Sequence, residues 1–243
     1  MPRSAHQQES RDSDRQTLAE LGLVSASVIH EVKNALQGIS NALFLLERDP
    51  SLRPRAREWI HDAQRELSRA FAASRQTLAL VRHEAPSQIS VTGILDEVLD
   101  ASSGKTAYKG IAIERNYEYR GTIEANEGAI REVFTNLVLN ALEAAPRSGG
   151  KLTVHTSPCS RTTGKDLAGV RIVFEDNGPG IPPTDKKKVF EPLFSTKKGK
   201  GTGLGLWVSD RLVHQQRGAL RLESSKSHTS GSSFSVFLPL KQN

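Results

Sequence analysis

From Leu18 to Leu46, apolar or small residues recur in strict alternation of three and four: Leu18, Leu21, Ser25, Val28, Val32, Ala35, Ile39, Ala42 and Leu46. That heptad spacing describes the seam of a helix packed in a bundle. Asp49, Pro50, Ser51 and Pro54 break the pattern, which predicts a helix end near Arg48. A second seam follows through Ile60, Ala63, Leu67, Ala70, Ser74, Thr77 and Val81, and runs to about Glu84, where Pro86 stops it. The expected element is an antiparallel helical hairpin over residues 16–86. A lone hairpin leaves an apolar stripe wet on each side, and dimerisation into a four-helix bundle is the simple remedy. A helical pair folding back on its own second half is the other arrangement that would cover it. Residues 1–15 are polar and charged and read as a flexible lead-in.

From about Gln88 the period changes. Ile94 to Ala101 and Ala129 to Ala145 read as helices, the latter ended by Pro146 and the turn-rich Ser148-Gly149-Gly150. Ile111 to Tyr117, Gly121 to Ala125, Lys151 to Ser157 and Val170 to Glu175 read as strands. Leu204 to Gln216 is helical again, and two strands follow at Ala219 to Glu223 and Ser232 to Leu238. Residues 87–243 thus form an α/β layered sandwich, and the chain as a whole is α+β. Between Asn177 and Gly203 lies a stretch rich in Gly, Pro and Lys, a loop length that is usually functional.

Net charge is +6, which raises the question of nucleic acid. The densest basic clusters, Lys186 to Lys188 and Lys197, Lys198 and Lys200, flank glycines, with no aromatic residues interleaved for base stacking. A loop facing a polyphosphate fits them better, and no nucleic-acid partner is expected. No apolar run approaches the roughly 18 residues needed to cross a bilayer. The sole cysteine, Cys159, forms no disulfide framework or zinc spacing and reads as a passive thiol. A reducing cytoplasm is the expected location.

Two sets of residues carry chemistry. With Leu18, Leu21, Ser25, Val28 and Val32 on the buried seam, His30 points to solvent. Glu31 beside it can orient the imidazole and take its proton, freeing the other ring nitrogen to attack, and Asn34 lies one helical turn on. In the second half, Asn136 and Asn140 share one helix face and offer neutral oxygen of the kind Mg²⁺ accepts. Two ordinary polar positions on an amphipathic helix would look the same. Asp176 should emerge at a strand end, where a carboxylate can accept the exocyclic amine of adenine. Gly178 and Gly180 allow close approach of base and backbone. Read alone, Asp176-Asn177-Gly178-Pro179-Gly180 is a plain turn. Gly201, Thr202, Gly203, Leu204 and Gly205 open a helix whose N-terminal amides can hold phosphate. Lys197 could reach a terminal phosphate, and Phe190 and Phe194 could anchor the loop or simply form a hydrophobic clamp.

In this order the blocks resemble the catalytic core of the sensor histidine kinases of two-component signalling, from about Thr17 to Leu240. His30-Glu31-Val32-Lys33-Asn34 is similar to the family's phospho-acceptor box, Asn136 to Asn140 to its N box and Asp176 to Gly180 to its first glycine box. Val189 to Phe194 is similar to its F box, Gly201 to Gly205 to its second glycine box, and Gly231 to Pro239 to its last strand. The resemblance implies a dimerisation and phosphotransfer hairpin joined to a Bergerat-type ATP-binding sandwich. It implies ATP-dependent phosphorylation of His30, with Glu31 as general base. Transfer to an aspartate on a response-regulator receiver domain would follow. By the same matching, Asn140 would be the Mg²⁺ ligand, Asp176 would bind adenine, and residues 180–203 would be the ATP lid. Asn34 would support dephosphorylation of the regulator by placing a water. Many relatives carry proline where this chain has Ala35, so its helix is expected to stay straighter past the acceptor. An ATPase or serine kinase on the same nucleotide fold, or a non-catalytic phosphotransfer scaffold, are the rival readings.

Overall fold

The computed structural model describes residues 36–48, 52–81, 85–104, 106, 110–163, 165–196, 203–223 and 230–241. The chain divides into two compact units, Met1–His83 and Glu84–Asn243. His30, Glu31, Asn34 and Ala35 lie outside the described residues, as do Lys197, Gly201 and Thr202.

In the first unit, residues 36–47 form helix α1 and Pro54–Val81 form α2. Glu47 joins them: Gln64 Nε2 donates to its Oε2 at 3.0 Å, and His61 Nδ1 lies 3.8 Å from its Oε1. On α2 the expected seam residues Ile60 and Leu67 are buried while Ala63 and Ala70 are exposed, and on α1 the half-buried line is Leu36, Ser40, Leu43 and Glu47. Ile39 and Leu46, expected on the seam, are each 51% exposed, and Ala42 is exposed too. One neighbouring helix shades one stripe, so the heptad positions of α1 are left facing water.

The second unit is built on a five-stranded sheet. Its strands are β2 (Ala112–Tyr117), β4 (Lys151–Thr163), β5 (Lys165–Asp176), β6 (Ala219–Glu223) and β7 (Ser233–Pro239). The order is β2-β4-β5-β7-β6, with β2 parallel to β4 and the other pairs antiparallel. A parallel neighbour requires a crossover. Here it runs through β3 (Thr122–Ala125) and helix α4 (Glu127–Ala144). β3 pairs separately with β1 (Ser87–Ser90). Helices α3 (Val91–Ala101), α4 and α5 (Gly205–Gln215) supply the second layer.

Capping places the helix starts. Ser90 Oγ accepts the Gly93 amide at 3.2 Å, and Asn126 Oδ1 accepts that of Ala129 at 2.8 Å. The core lies between sheet and helices: Val170, Ile172 and Phe174 alternate inward from β5, and the Phe174 ring meets Phe134 of α4 at 5.6 Å. Burying a side chain of this size is worth about 1.5–3 kcal/mol. Arg115 clasps β2 to α3 through Asp96 (2.8 Å) and Asp100 (2.5 Å), and Tyr117 donates to Asp96 at 3.0 Å.

Two features depart from the expected strands. β1 carries one apolar residue, Ile89, in four, so alternation could not reveal it. β4 and β5 pair as far as Thr163 and Lys165, well beyond Ser157 and Val170. Past the last β7 pair, Gly169 with Pro239, they continue as a two-stranded ribbon held by its backbone ladder. Cys159 is a free, half-buried thiol within β4.

Candidate nucleotide-binding site

Asp176 ends the inward-facing row of β5, directly after Val170, Ile172 and Phe174 in the alternation. Strand geometry points its carboxylate into the helical layer, and it is 3% exposed. Burying a carboxylate is costly unless it is hydrogen-bonded. Its Oδ1 accepts the Gly178 amide at 2.8 Å and the Ser232 amide at 3.3 Å.

The loop leaving Asp176 is held at several points. Asn177 Oδ1 accepts the Lys151 amide and its Nδ2 donates to Gly149 O, both at 2.8 Å, which fastens the loop to the start of β4. A Cβ on Gly178 would stand 2.7 Å from Ala144 O at the end of α4 and 2.8 Å from Asp176 Oδ1. No side chain fits there, so α4, Asp176 and the loop converge. Gly180 sits at φ +77°, where a Cβ would come 3.0 Å from Gly231 O.

Asn136 and Asn140 project from successive turns of α4. Asn136 is 8% exposed and donates from Nδ2 to Ser209 Oγ of α5 at 3.3 Å, whereas Asn140 is half-buried. Asn136 therefore ties two helices together. α5 begins after Leu204, which gives no side-chain cap, and the first amides of a helix lack partners within it. A 3₁₀ turn at Lys188–Phe190 interrupts the long loop. The Phe190 ring stands edge-on to Phe234 of β7 at 6.4 Å, and Phe194 is half-buried. Leu193 lies against Gly203, whose Cβ would fall 2.4 Å from the Leu193 carbonyl carbon, so the two described ends of the loop meet.

The structure thus brings Asp176, Gly178 and Gly180 together with the end of α4, and it joins α4 to α5 through Asn136. Asn177, Ser209, Gly231 and Ser232 are parts of this arrangement that composition and spacing did not single out as site residues. For Asn177 a signal existed, an amide between a strand-end carboxylate and a glycine. For Ser232, which acts through its backbone, there was none.

Residues 125–242 match the model of the histidine kinase-, DNA gyrase B-, and HSP90-like ATPase. The chain is 30% identical over 236 residues to the signal transduction histidine-protein kinase AtoS of Escherichia coli (strain K12), covering 96% of this chain and 37% of that one. It is 31% identical over 226 residues to the sensory histidine kinase/phosphatase NtrB of Vibrio alginolyticus, covering 90% and 62% respectively. The chain carries a sensor histidine kinase catalytic core. It spans less than two thirds of the length of these curated relatives. The solved catalytic domain of the histidine kinase ThkA superimposes with a TM-score of 0.55 at 26% identity, over 65% of this chain and 98% of that domain. The sheet and helices around Asp176 therefore belong to the ATP-binding domain of a sensor histidine kinase. Among the described residues, no helix is long and apolar enough to cross a membrane.

Proposed function

We propose that this histidine kinase phosphorylates its own His30 from ATP and passes the phosphoryl group to an aspartate on a response-regulator receiver domain. The buried Asp176 carboxylate carries the reading most directly. An acceptor held at a strand end, beside a glycine that admits no side chain, suits the exocyclic amine of adenine. Phe190, Phe194 and Lys197 belong to a lid over the nucleotide. Gly201, Thr202, Gly203, Leu204 and Gly205 present backbone amides to its phosphates. The half-buried Asn140 offers one hard oxygen, which suits a Mg²⁺ held mainly by phosphate and water and neutralising charge on the transferring group.

In the reaction, a His30 ring nitrogen forms the N–P bond as the bond between the γ-phosphorus and the β–γ bridging oxygen breaks, and ADP leaves. Glu31 takes the proton from the other ring nitrogen. Positioning and charge neutralisation supply most of the rate. Asn34 places a water against the phosphorylated regulator, which adds a phosphatase activity. The exposed apolar residues of the helical unit, among them Ile39 and Leu46, favour a homodimer that covers them. The working division is a hairpin over residues 16–86 and an ATP-binding domain over 87–243, in the cytoplasm. The division between His83 and Glu84 in the structure supports that boundary.

Incubation with ATP radiolabelled at the γ-phosphate tests the assignment. The expected label is acid-labile and base-stable, and is lost in His30→Gln and on chelation of divalent cations. Label that survives acid, or that persists in His30→Gln, would point to a serine kinase or another acceptor.

A further inference from the structure

Gly231 and Ser232 stand 55 and 56 residues from Asp176 in sequence but beside it in space. Two hydrogen bonds join them: Asp176 N donates to the Ser232 backbone O at 3.0 Å, and Ser232 N donates to the Asp176 side chain at Oδ1 at 3.3 Å. Gly231 sits at φ +136°, a conformation that side chains disfavour, and a Cβ there would fall 2.0 Å from Asp176 O. No rotamer relieves that overlap; the backbone would have to move, and the Ser232 amide with it. Ser232 is 6% exposed, so water does not readily replace a lost donor.

We propose that Gly231 and the Ser232 amide are positioning elements that give the site its preference for a 6-amino over a 6-keto purine. This rests on the nucleotide reading above. An ionised carboxylate only accepts hydrogen bonds. It attracts the amine of adenine and repels the keto oxygen of hypoxanthine. Repulsion discriminates only if the carboxylate cannot turn aside. Two backbone amides on Oδ1, from Gly178 at the start of the loop and Ser232 before β7, fix its plane. Loosening one lets the group swing away and tolerate the wrong base.

Affinities for ATP and ITP, measured by calorimetry on the full chain, test this. The wild type should prefer ATP on the order of a hundredfold, as buried hydrogen-bonding groups reject mismatched partners strongly. Asp176→Asn should abolish the preference. Gly231→Ala should bind ATP about tenfold more weakly and reduce the ATP-to-ITP ratio to a few-fold, a change that general loosening of the domain would not produce. Ser230→Ala, at an exposed position one residue upstream, should keep the wild-type ratio. A folded Gly231→Ala protein with the wild-type ratio would overturn the positioning role while leaving the nucleotide reading intact. Equal binding of ATP and ITP by the wild type, unaltered in Asp176→Asn, would overturn the assignment of Asp176 to the base, and binding of neither would overturn the nucleotide reading itself. If Gly231→Ala does not fold, amide hydrogen exchange decides. Removal of the acceptor in Asp176→Ala should speed exchange at Ser232 and Gly178 about tenfold, and an unchanged Ser232 rate would refute the contact.

Discussion

Asp176→Asn changes one oxygen to a nitrogen that donates where the native group only accepts, at a side chain 3% exposed. A hydrogen bond to a charged acceptor contributes about 1.5–3 kcal/mol, so ATP affinity should fall roughly ten- to a hundredfold, read by calorimetry. Tyr117 supports a second prediction. Burial, and next its hydrogen bond to Asp96, push its phenol well above the ordinary tyrosine range. Its folded pKa lies above the unfolded one, so its contribution is fully present below about pH 10 and is lost as pH rises beyond it. Tyr117→Phe should lower stability at neutral pH by about 1 kcal/mol and flatten the alkaline limb, as measured by urea unfolding between pH 7 and 11. At this scale Asp176 was legible as a strand-end carboxylate two residues before a glycine, and the order of the other blocks is what raised it above a plain turn. Ser232 was not, because the group that acts is an amide every residue carries.

Helix α5 ends in a paired reversal: Arg217 N donates to His214 O and Gly218 N to Val213 O, both at 2.9 Å. This Schellman arrangement requires a left-handed residue at its centre, and Arg217 occupies it at φ +55°. Arg217 is exposed, so its side chain contributes little packing. Arg217→Gly should therefore stabilise the protein by about 1 kcal/mol, seen as a rise in thermal midpoint. Most elements of the second unit were legible because periodicity and punctuation coincide: α4 is capped by Asn126 and followed by Pro146. The ribbon beyond Cys159 and Gly169 was not legible. Its ladder is made by backbone groups, and the sequence there shows no regular apolar alternation to announce it.

Across the whole molecule, the first unit exposes Ile39, Phe44, Leu45, Leu46 and Trp59 at 49–69%. In the proposed homodimer a second copy covers such residues, foremost Ile39 and Leu46 on the heptad line. Ile39→Asp with Leu46→Asp should convert a dimer into a monomer at micromolar concentration, measured by sedimentation equilibrium, because a charge in an apolar seam costs several kcal/mol. A monomeric wild type would refute the homodimer. The order of the blocks, the change from heptad to alternating period and the resemblance to histidine kinases are properties of neighbouring residues, and the amino-acid sequence determines them unaided. Which distant groups meet is another matter. Ser232 reaches Asp176 across 56 positions, and Asn136 reaches Ser209 across 73. Those meetings depend on the β5–β7 register and on the packing of α4 against α5. Both are set by burial summed over the whole core, and no local spacing encodes that sum.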